Sequence, residues 1–105
     1  MSRVELIFAK NLDLYRMQHP DCILVDVRSR EEYEKYHIKN AVNIPYEEDR
    51  EWDLDKKKTI VVYCERGSTS IQAARTLAEK GYHVVSVVGG VRDYLMLNFT
   101  LSKTL

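Results

Sequence analysis

Short, nearly continuous apolar runs alternate along this chain with helix-forming segments, and this alternation constrains the fold more than any other feature of the sequence. Strands that are apolar on both sides are typical of parallel sheets, because helices cover both faces of such sheets. The predicted strands are residues 7–9, 22–27, 41–44, 59–63 and 83–88. The sequence therefore predicts an α/β fold in three layers, with a central parallel sheet of about five strands and helices on both faces.

The predicted helices lie between these strands, at residues 12–18, 29–36, 70–80 and 91–97. Ser29 and Glu32 form an S-x-x-E capping box, which marks a helix start. In the segment 70–80 the apolar side chains recur on one helical face, and Gly81 is a natural stop. The charged run 47–58 predicts a solvated helix and loop, anchored to the core by Trp52 and Leu54.

Length and charge limit the classes of function that fit this chain. Its 105 residues suit one domain, and we predict a single domain over residues 1–105. Acidic and basic residues balance at 16 each, so no overall field attracts nucleic acid or an anionic membrane. The apolar runs are too short to span a bilayer, and residues 1–10 lack the pattern of a signal peptide. We therefore expect a cytoplasmic protein that acts without nucleic acid or membrane partners.

The chain has two cysteines, Cys22 and Cys64, and only Cys64 stands in a setting that suggests chemistry. Two cysteines at this spacing predict neither a disulfide scaffold nor a metal site. Cys64 follows the apolar strand 59–63 and opens the polar loop C-E-R-G-S-T-S at 64–70, after which a helix begins. Amide groups in such a turn and at a helix start can bind anions, and the helix dipole adds positive potential. A thiol there is expected to ionise readily and to act as a nucleophile.

Six motifs in the correct order resemble the rhodanese-like domain family, over about residues 11–99. They are V-D-V-R at 25–28, E-E-Y at 31–33 followed by H-I at 37–38, A-V-N-I-P at 41–45, V-Y-C at 62–64, S-I-Q-A-A at 70–74 and V-G-G at 88–90. The resemblance implies a rhodanese-like fold and sulfurtransferase activity. It implies that Cys64 takes sulfane sulfur from a small anion such as thiosulfate and holds it as a persulfide.

The resemblance also implies roles for residues around Cys64. The persulfide passes to a thiol or cyanide acceptor, a protein relay partner is a further candidate, and no metal or organic cofactor is needed. Asp26 and Arg28 end a strand on the site side of the sheet, where a direct site role is possible, and they are expected to support the site through an ion pair or a turn contact that holds the loops. Residues of the loop are expected to bind the donor, chiefly through backbone N–H groups: Glu65, Arg66, Gly67, Ser68, Thr69 and Ser70.

Three positions depart from the family pattern. Thr69 stands where many members have Arg, and Asn40 stands where Gly is usual, although Asn tolerates left-handed turns. Glu65 stands where neutral or basic residues are common. Its carboxylate opposes thiolate formation and anion binding, and Arg66 is expected to offset it.

Other functions and other roles for these residues stay open at this point. A phosphatase or arsenate reductase would need an Arg six residues after the cysteine, where this chain has Ser70. A persulfide carrier and a non-enzymatic recognition module are further alternatives. Cys64 could instead be an inert core thiol, and Cys22 is interpreted as a packing residue rather than a redox partner. His37 is interpreted as a structural histidine.

Overall fold

The computed structural model describes the backbone of residues 4–104 and the side chains of residues 4–97. The strands are β1 (Val4–Phe8), β2 (Ile23–Asp26), β3 (Val42–Asn43), β4 (Ile60–Tyr63) and β5 (Val84–Val88). The helices are α1 (Leu12–Gln18), α2 (Arg30–Lys35), α3 (Ser68–Glu79) and α4 (Gly90–Thr104), with a short 3-10 turn at Ala9–Asn11. None of the helices within residues 4–104 combines the length and the apolar character that a membrane crossing requires.

The strands form one parallel sheet in the order β1-β5-β4-β2-β3. β4 lies at the centre, and all four of its residues are buried. This architecture confirms the predicted α/β fold with its five-stranded parallel sheet. Because every strand runs in the same direction, the carboxyl ends of β2, β4 and β5 meet at one edge, where sites in such folds are found.

Side chains that alternate along β4 supply the two halves of the core. Ile60 and Val62 face a cluster that includes Ala73, Ala74 and Leu77 of α3. Val61 and Tyr63 face the opposite cluster, to which α1 contributes Leu12 and α4 contributes Val91. These strand residues are fully buried, and burial of each such side chain contributes about 1.5–3 kcal/mol. The helices therefore cover both faces of the sheet, as predicted.

Several boundaries differ from the predicted ones. β1 begins at Val4 rather than at residue 7, and Ala9 belongs to the 3-10 turn that follows it. β1 is an edge strand whose residues Glu5, Leu6 and Phe8 are exposed, so its sequence lacks the continuous apolar run of a central strand. α3 begins two residues earlier than predicted, at Ser68, and α4 continues to Thr104. The capping box of α2 is confirmed.

The predicted helix within residues 47–58 is wrong, because this segment forms turns and irregular backbone. The predicted anchors are confirmed: Trp52 is 7% exposed, and Leu54 packs against the same core cluster. The Tyr82 hydroxyl donates hydrogen bonds to the carbonyl oxygens of Trp52, at 2.5 Å, and of Leu54, at 3.2 Å. A tyrosine 28 to 30 residues away thus fixes the backbone of this segment.

The Gly89-Gly90 turn sets the start of α4 against the loop that follows β4. The N–H of Val91 donates to the carbonyl oxygen of Cys64 at 2.9 Å, and the N–H of Arg92 donates to that of Glu65 at 3.1 Å. Gly90 has φ +61°, and a Cβ there would collide with both carbonyl oxygens. The first amides of α4, which have no partner within the helix, therefore hold the backbone of the loop.

We predict that Gly90→Ala lowers the free energy of unfolding by about 3 kcal/mol or more, from left-handed strain and from the backbone collision together. Gly81→Ala is the matched control, since Gly81 also has positive φ (+95°) but an added Cβ would meet only Lys56 Nζ, at 3.9 Å. The control is expected to lose about 1–2 kcal/mol. Urea unfolding followed by Trp52 fluorescence measures both losses, and equal losses would contradict the proposed contact.

Candidate active site

Cys64 lies immediately after β4, where the backbone turns into α3. Its Sγ accepts a hydrogen bond from the N–H of Gly67, at 3.0 Å, and a second from the N–H of Ser70, at 3.3 Å. Cys64 is only 4% exposed, so the sulfur sits at the base of the turn rather than on the surface. The sequence places this thiol between a strand and a polar loop; the structure adds that the loop closes over it.

Gly67 makes this turn possible. It has φ +119°, a conformation that L side chains rarely adopt, and a Cβ there would lie 3.4 Å from the backbone nitrogen of Gly89. The Ser70 hydroxyl donates to the carbonyl oxygen of Gly67 at 3.0 Å and lies 3.0 Å from the hydroxyl of Ser86 on β5. Ser70 and Ser86 are both buried. This buried hydroxyl pair ties the first turn of α3 to the sheet and fixes the two amides that face sulfur.

The groups that face the Cys64 sulfur are hydrogen-bond donors at the start of a helix. Two N–H groups donate to it, and the amino end of the 12-residue helix α3 carries a partial positive charge. Such donors can stabilise a sulfur atom that gains negative charge during a displacement. The site can therefore support nucleophilic chemistry at sulfur. Among the residues that the structure describes, no three His, Cys, Asp or Glu side chains are grouped to hold a metal ion.

Asp26 and Arg28 form a buried ion pair beside this loop. Arg28 Nη2 donates to Asp26 Oδ2 at 2.8 Å, and Arg28 Nε donates to Oδ1 at 3.1 Å. Burial alone lowers the pKa of Arg28, but the hydrogen bonds and the charge of Asp26 outweigh it, so the pKa stands above its usual value. Arg28 is therefore a permanent cation, and of the two predicted contacts, ion pair or turn contact, the structure shows the ion pair.

The strand register brings Arg28 level with Glu65. β2 pairs with β4 so that Asp26 lies beside Tyr63. Arg28 is two residues after Asp26, and Glu65 is two residues after Tyr63, so these two residues also lie beside each other. Arg28 Nη1 donates to Glu65 Oε1 at 3.2 Å, and the Tyr36 hydroxyl donates to both Glu65 oxygens, at 3.2 Å each. The expectation that Arg66 offsets the Glu65 charge is wrong. Arg28 and Tyr36 bind the Glu65 carboxylate.

The predicted loop residues differ in where their side chains lie. Gly67 and Ser70 direct N–H groups at sulfur, and Glu65 binds Arg28. Ser68 is exposed and Thr69 is half-buried, and they are the first two residues of α3, whose amides have no carbonyl partner within the helix. The Arg66 side chain is exposed and forms no hydrogen bond or ion pair with the residues that the structure describes.

Sequence reasoning missed three residues around the site. Tyr36 contacts both Arg28 and Glu65, and Ser86 supports Ser70. Asn43 Nδ2 donates to the carbonyl oxygens of Asp26 and Arg28, at 3.0 Å each, and so fixes the end of β2. Asn43 lies in the A-V-N-I-P motif, and Ser86 is a polar residue among the valines of β5. Both positions therefore stand out in the sequence as candidates for a role at the site. Nothing in the local pattern marks Tyr36 among seven tyrosines.

Two other predicted assignments can be compared with the geometry. His37 Nδ1 donates to the Tyr33 carbonyl oxygen at 2.8 Å, and its ring stacks on that of Tyr33, so its contacts are structural. Cys22 precedes β2 at the amino edge of the sheet, beside Thr59. Cys64 is five residues after Thr59 along β4, which in an extended strand is a distance of about 16 Å. A disulfide requires Cα atoms within about 7 Å, so these two thiols do not form one within this fold.

The fold and site together define a class: a parallel α/β domain with a cysteine in the loop that joins its central strand to a helix. The chain belongs to the rhodanese-like domain family, whose sequence profile matches residues 10–96. The matched residues include the loop after Cys64 and the strands β2 and β4 that bring Arg28 and Glu65 together. It also confirms the resemblance that the sequence motifs indicated.

Individual relatives agree with this assignment. The thiosulfate sulfurtransferase PspE of Escherichia coli (strain K12) is 41% identical over 76 residues, which cover 69% of this chain and 73% of PspE. The putative sulfur carrier protein YrkF of Bacillus subtilis (strain 168) is 42% identical over 74 residues, which cover 68% of this chain and 40% of YrkF. The crystal structure of a rhodanese-related protein from Thermoplasma volcanium superposes with a TM-score of 0.76 at 30% identity, covering 88% of this chain and 91% of that one.

We predict that Asp26→Ala lowers the free energy of unfolding by about 3–5 kcal/mol, because it leaves the buried Arg28 cation without its main partner. Glu34→Ala is the control, since it removes an ion pair with Arg30 in which both side chains are at least 65% exposed. This control is expected to change stability by less than about 0.5 kcal/mol. Urea denaturation of both variants tests the difference, and a small loss for Asp26→Ala would contradict the buried pair's role.

Proposed function

We propose that this protein is a sulfurtransferase that moves sulfane sulfur from a small anionic donor such as thiosulfate to a thiophilic acceptor, with Cys64 as the catalytic nucleophile. The observation that carries the proposal is the pair of amide hydrogen bonds to Cys64 Sγ, from Gly67 and Ser70. The thiosulfate sulfurtransferase PspE, at 41% identity, supports the choice of donor.

The reaction proceeds in two displacements at sulfur, in a ping-pong cycle. The Cys64 thiolate attacks the outer sulfur of thiosulfate; a new S–S bond forms, the original S–S bond breaks, and sulfite leaves with the electron pair. Cyanide or a thiolate then attacks the outer sulfur of the Cys64 persulfide. That attack forms thiocyanate or a new persulfide and restores the Cys64 thiolate, so no external oxidant, reductant or metal is required.

The loop and its supports have separate roles in this cycle. The N–H groups of Gly67 and Ser70 stabilise charge on sulfur, and those of Ser68 and Thr69 at the start of α3 are available to the donor anion. Glu65 and Arg66 directly follow Cys64 as side chains of opposite charge. Asp26 and Arg28 act as supports, because their ion pair fixes the Glu65 end of the loop.

We further propose a single domain that works in the reducing cytoplasm, with neither nucleic acid nor membrane as a partner and with no cofactor. Cys22 and Cys64 are both free thiols, which suits a reducing compartment. Burial raises the pKa of the Cys22 thiol, with Arg16 opposing the shift. Cys22 is therefore a poorer nucleophile than an exposed thiol at neutral pH, and we assign it no part in the cycle.

A persulfide carrier that receives sulfur from a protein donor is a second candidate. It is favoured by the similarity to YrkF, which is named a putative sulfur carrier protein, and by the carboxylate of Glu65 directly after Cys64. A carrier would load sulfur from a cysteine desulfurase but would turn over cyanide slowly. A phosphatase is disfavoured, since Ser70 occupies the position of the required Arg and its hydroxyl is buried against Gly67 and Ser86.

We predict that incubation with thiosulfate adds the mass of one sulfur atom to the wild-type protein and that cyanide then releases thiocyanate. Cys64→Ala is expected to lose both the added mass and thiocyanate formation, because the amides of Gly67 and Ser70 both donate to the Cys64 sulfur. Intact-protein mass spectrometry and a colorimetric thiocyanate assay measure the two steps.

Cys22→Ala serves as the matched control and is expected to load sulfur and form thiocyanate as the wild type does. Equal loading of the two cysteine variants would remove Cys64 from the proposed role. Normal loading by a desulfurase with slow cyanide turnover would favour the carrier. Phosphate release from an aryl phosphate would favour the phosphatase.

A further inference from the structure

Tyr36 joins the end of α2 to the active-site loop through Glu65. Its hydroxyl donates to Glu65 Oε1 and Oε2 at 3.2 Å each, and these two residues are 29 positions apart in the sequence. Tyr36 is 42% exposed, so its side chain does not belong to the hydrophobic core. The contact therefore acts on the carboxylate that directly follows Cys64.

Arg28 holds Tyr36 in place for this contact. Arg28 Nη2 donates to the Tyr36 carbonyl oxygen at 2.6 Å, and the Arg28 guanidinium lies 4.9 Å from the centre of the Tyr36 ring. A cation at this distance from an aromatic ring attracts it. Since Arg28 is itself fixed by Asp26, the Tyr36 hydroxyl has a defined position over the Glu65 carboxylate.

The charges in this cluster do not balance. Asp26 and Glu65 each carry a negative charge, and the single cation Arg28 binds both. One net negative charge therefore remains beside the cysteine, on a Glu65 side chain that is 36% exposed. Arg66 follows Glu65 in the chain, and the N–H of Arg92 donates to the Glu65 carbonyl oxygen at 3.1 Å. Both arginine side chains are exposed, and solvent screens their charge. An anionic donor that approaches Cys64 meets this carboxylate.

We propose that Tyr36 is a positioning residue of the sulfur-donor site. Its hydroxyl keeps the Glu65 carboxylate on Arg28 and so limits the repulsion that an anionic donor meets at Cys64. The inference rests on the proposed sulfurtransferase function and adds to it a residue that sets the preference among donors of different charge. Without the hydroxyl, Glu65 keeps one partially exposed ion pair, and its side chain is free to sample positions nearer the donor.

Two donors of different charge separate this electrostatic role from a purely structural one. Thiosulfate is a dianion, whereas methanethiosulfonate is a monoanion that also delivers its terminal sulfur. In the second case the Cys64 sulfur forms an S–S bond with that terminal sulfur, the bond to the sulfonyl sulfur breaks, and methanesulfinate leaves with the electron pair. Because a Coulomb energy is proportional to the donor charge, displacing Glu65 should weaken binding of thiosulfate more than binding of methanethiosulfonate.

The test compares steady-state kinetics, with cyanide as acceptor, for the wild type, Tyr36→Phe, Glu65→Gln and the double variant. Tyr36→Phe keeps the ring over Arg28 and removes only the hydroxyl. It is expected to raise KM for thiosulfate about two- to fivefold, to raise KM for methanethiosulfonate less, and to leave kcat unchanged. In the Glu65→Gln background the same substitution is expected to change neither KM. High salt is expected to shrink the thiosulfate effect.

Tyr33→Phe is the matched control, since Tyr33 lies on the same helix and its hydroxyl donates to the Ala41 carbonyl oxygen at 2.7 Å. It is expected to leave the KM ratio of the two donors unchanged. The inference is overturned if Tyr36→Phe lowers kcat, if it raises both KM values equally, or if its effect persists without the Glu65 charge. A wild-type protein that forms no thiocyanate from either donor would instead overturn the proposed function itself.

Discussion

The hydrogen bonds from Gly67 and Ser70 to the Cys64 sulfur are the contacts that the rest of the site is arranged to maintain. β4 brings the sulfur to the carboxyl edge of the sheet, and the positive φ of Gly67 turns the loop back toward it. The loop is also fixed from its other side, because the amides of Val91 and Arg92 bind the carbonyl oxygens of Cys64 and Glu65. Two helix starts therefore meet at one loop: α3 supplies a donor to sulfur, and α4 supplies donors to the backbone.

Charge beside the sulfur is controlled by a second set of contacts. Asp26 fixes Arg28, Arg28 binds Glu65, and Tyr36 donates to the same carboxylate. In the proposed cycle, a carboxylate next to Cys64 would oppose the ionisation that a nucleophile needs. In this protein that carboxylate is bound by a cation and a hydroxyl. The buried ion pair thus supports both the stability of the sheet edge and the electrostatic setting of the loop.

Much of the fold follows from local sequence, whereas contacts between distant segments do not. β4 and β5 are predicted because continuous apolar runs are local signals, and α3 is predicted because its apolar residues recur with a helical period. Gly67 marks the turn between β4 and α3. β1 is misplaced because an edge strand is half exposed, and the turns of residues 47–58 depend on the distant Tyr82. Cys64, Asp26 and Arg28 are candidates from the sequence alone. The contact of Glu65 with Arg28 spans 37 residues and depends on a strand register that only the assembled sheet fixes.

The role of the two amides can be measured directly by ¹⁵N–¹H NMR of the protein before and after it is loaded with sulfur from thiosulfate. We expect the amide resonances of Gly67 and Ser70 to move more than those of residues elsewhere on the sheet, because both N–H groups donate to the sulfur atom that changes. Removal of the sulfur with cyanide is expected to return them to their original positions. Loading of sulfur that leaves both resonances unmoved would contradict the account, since it would show that these amides do not contact the reacting atom.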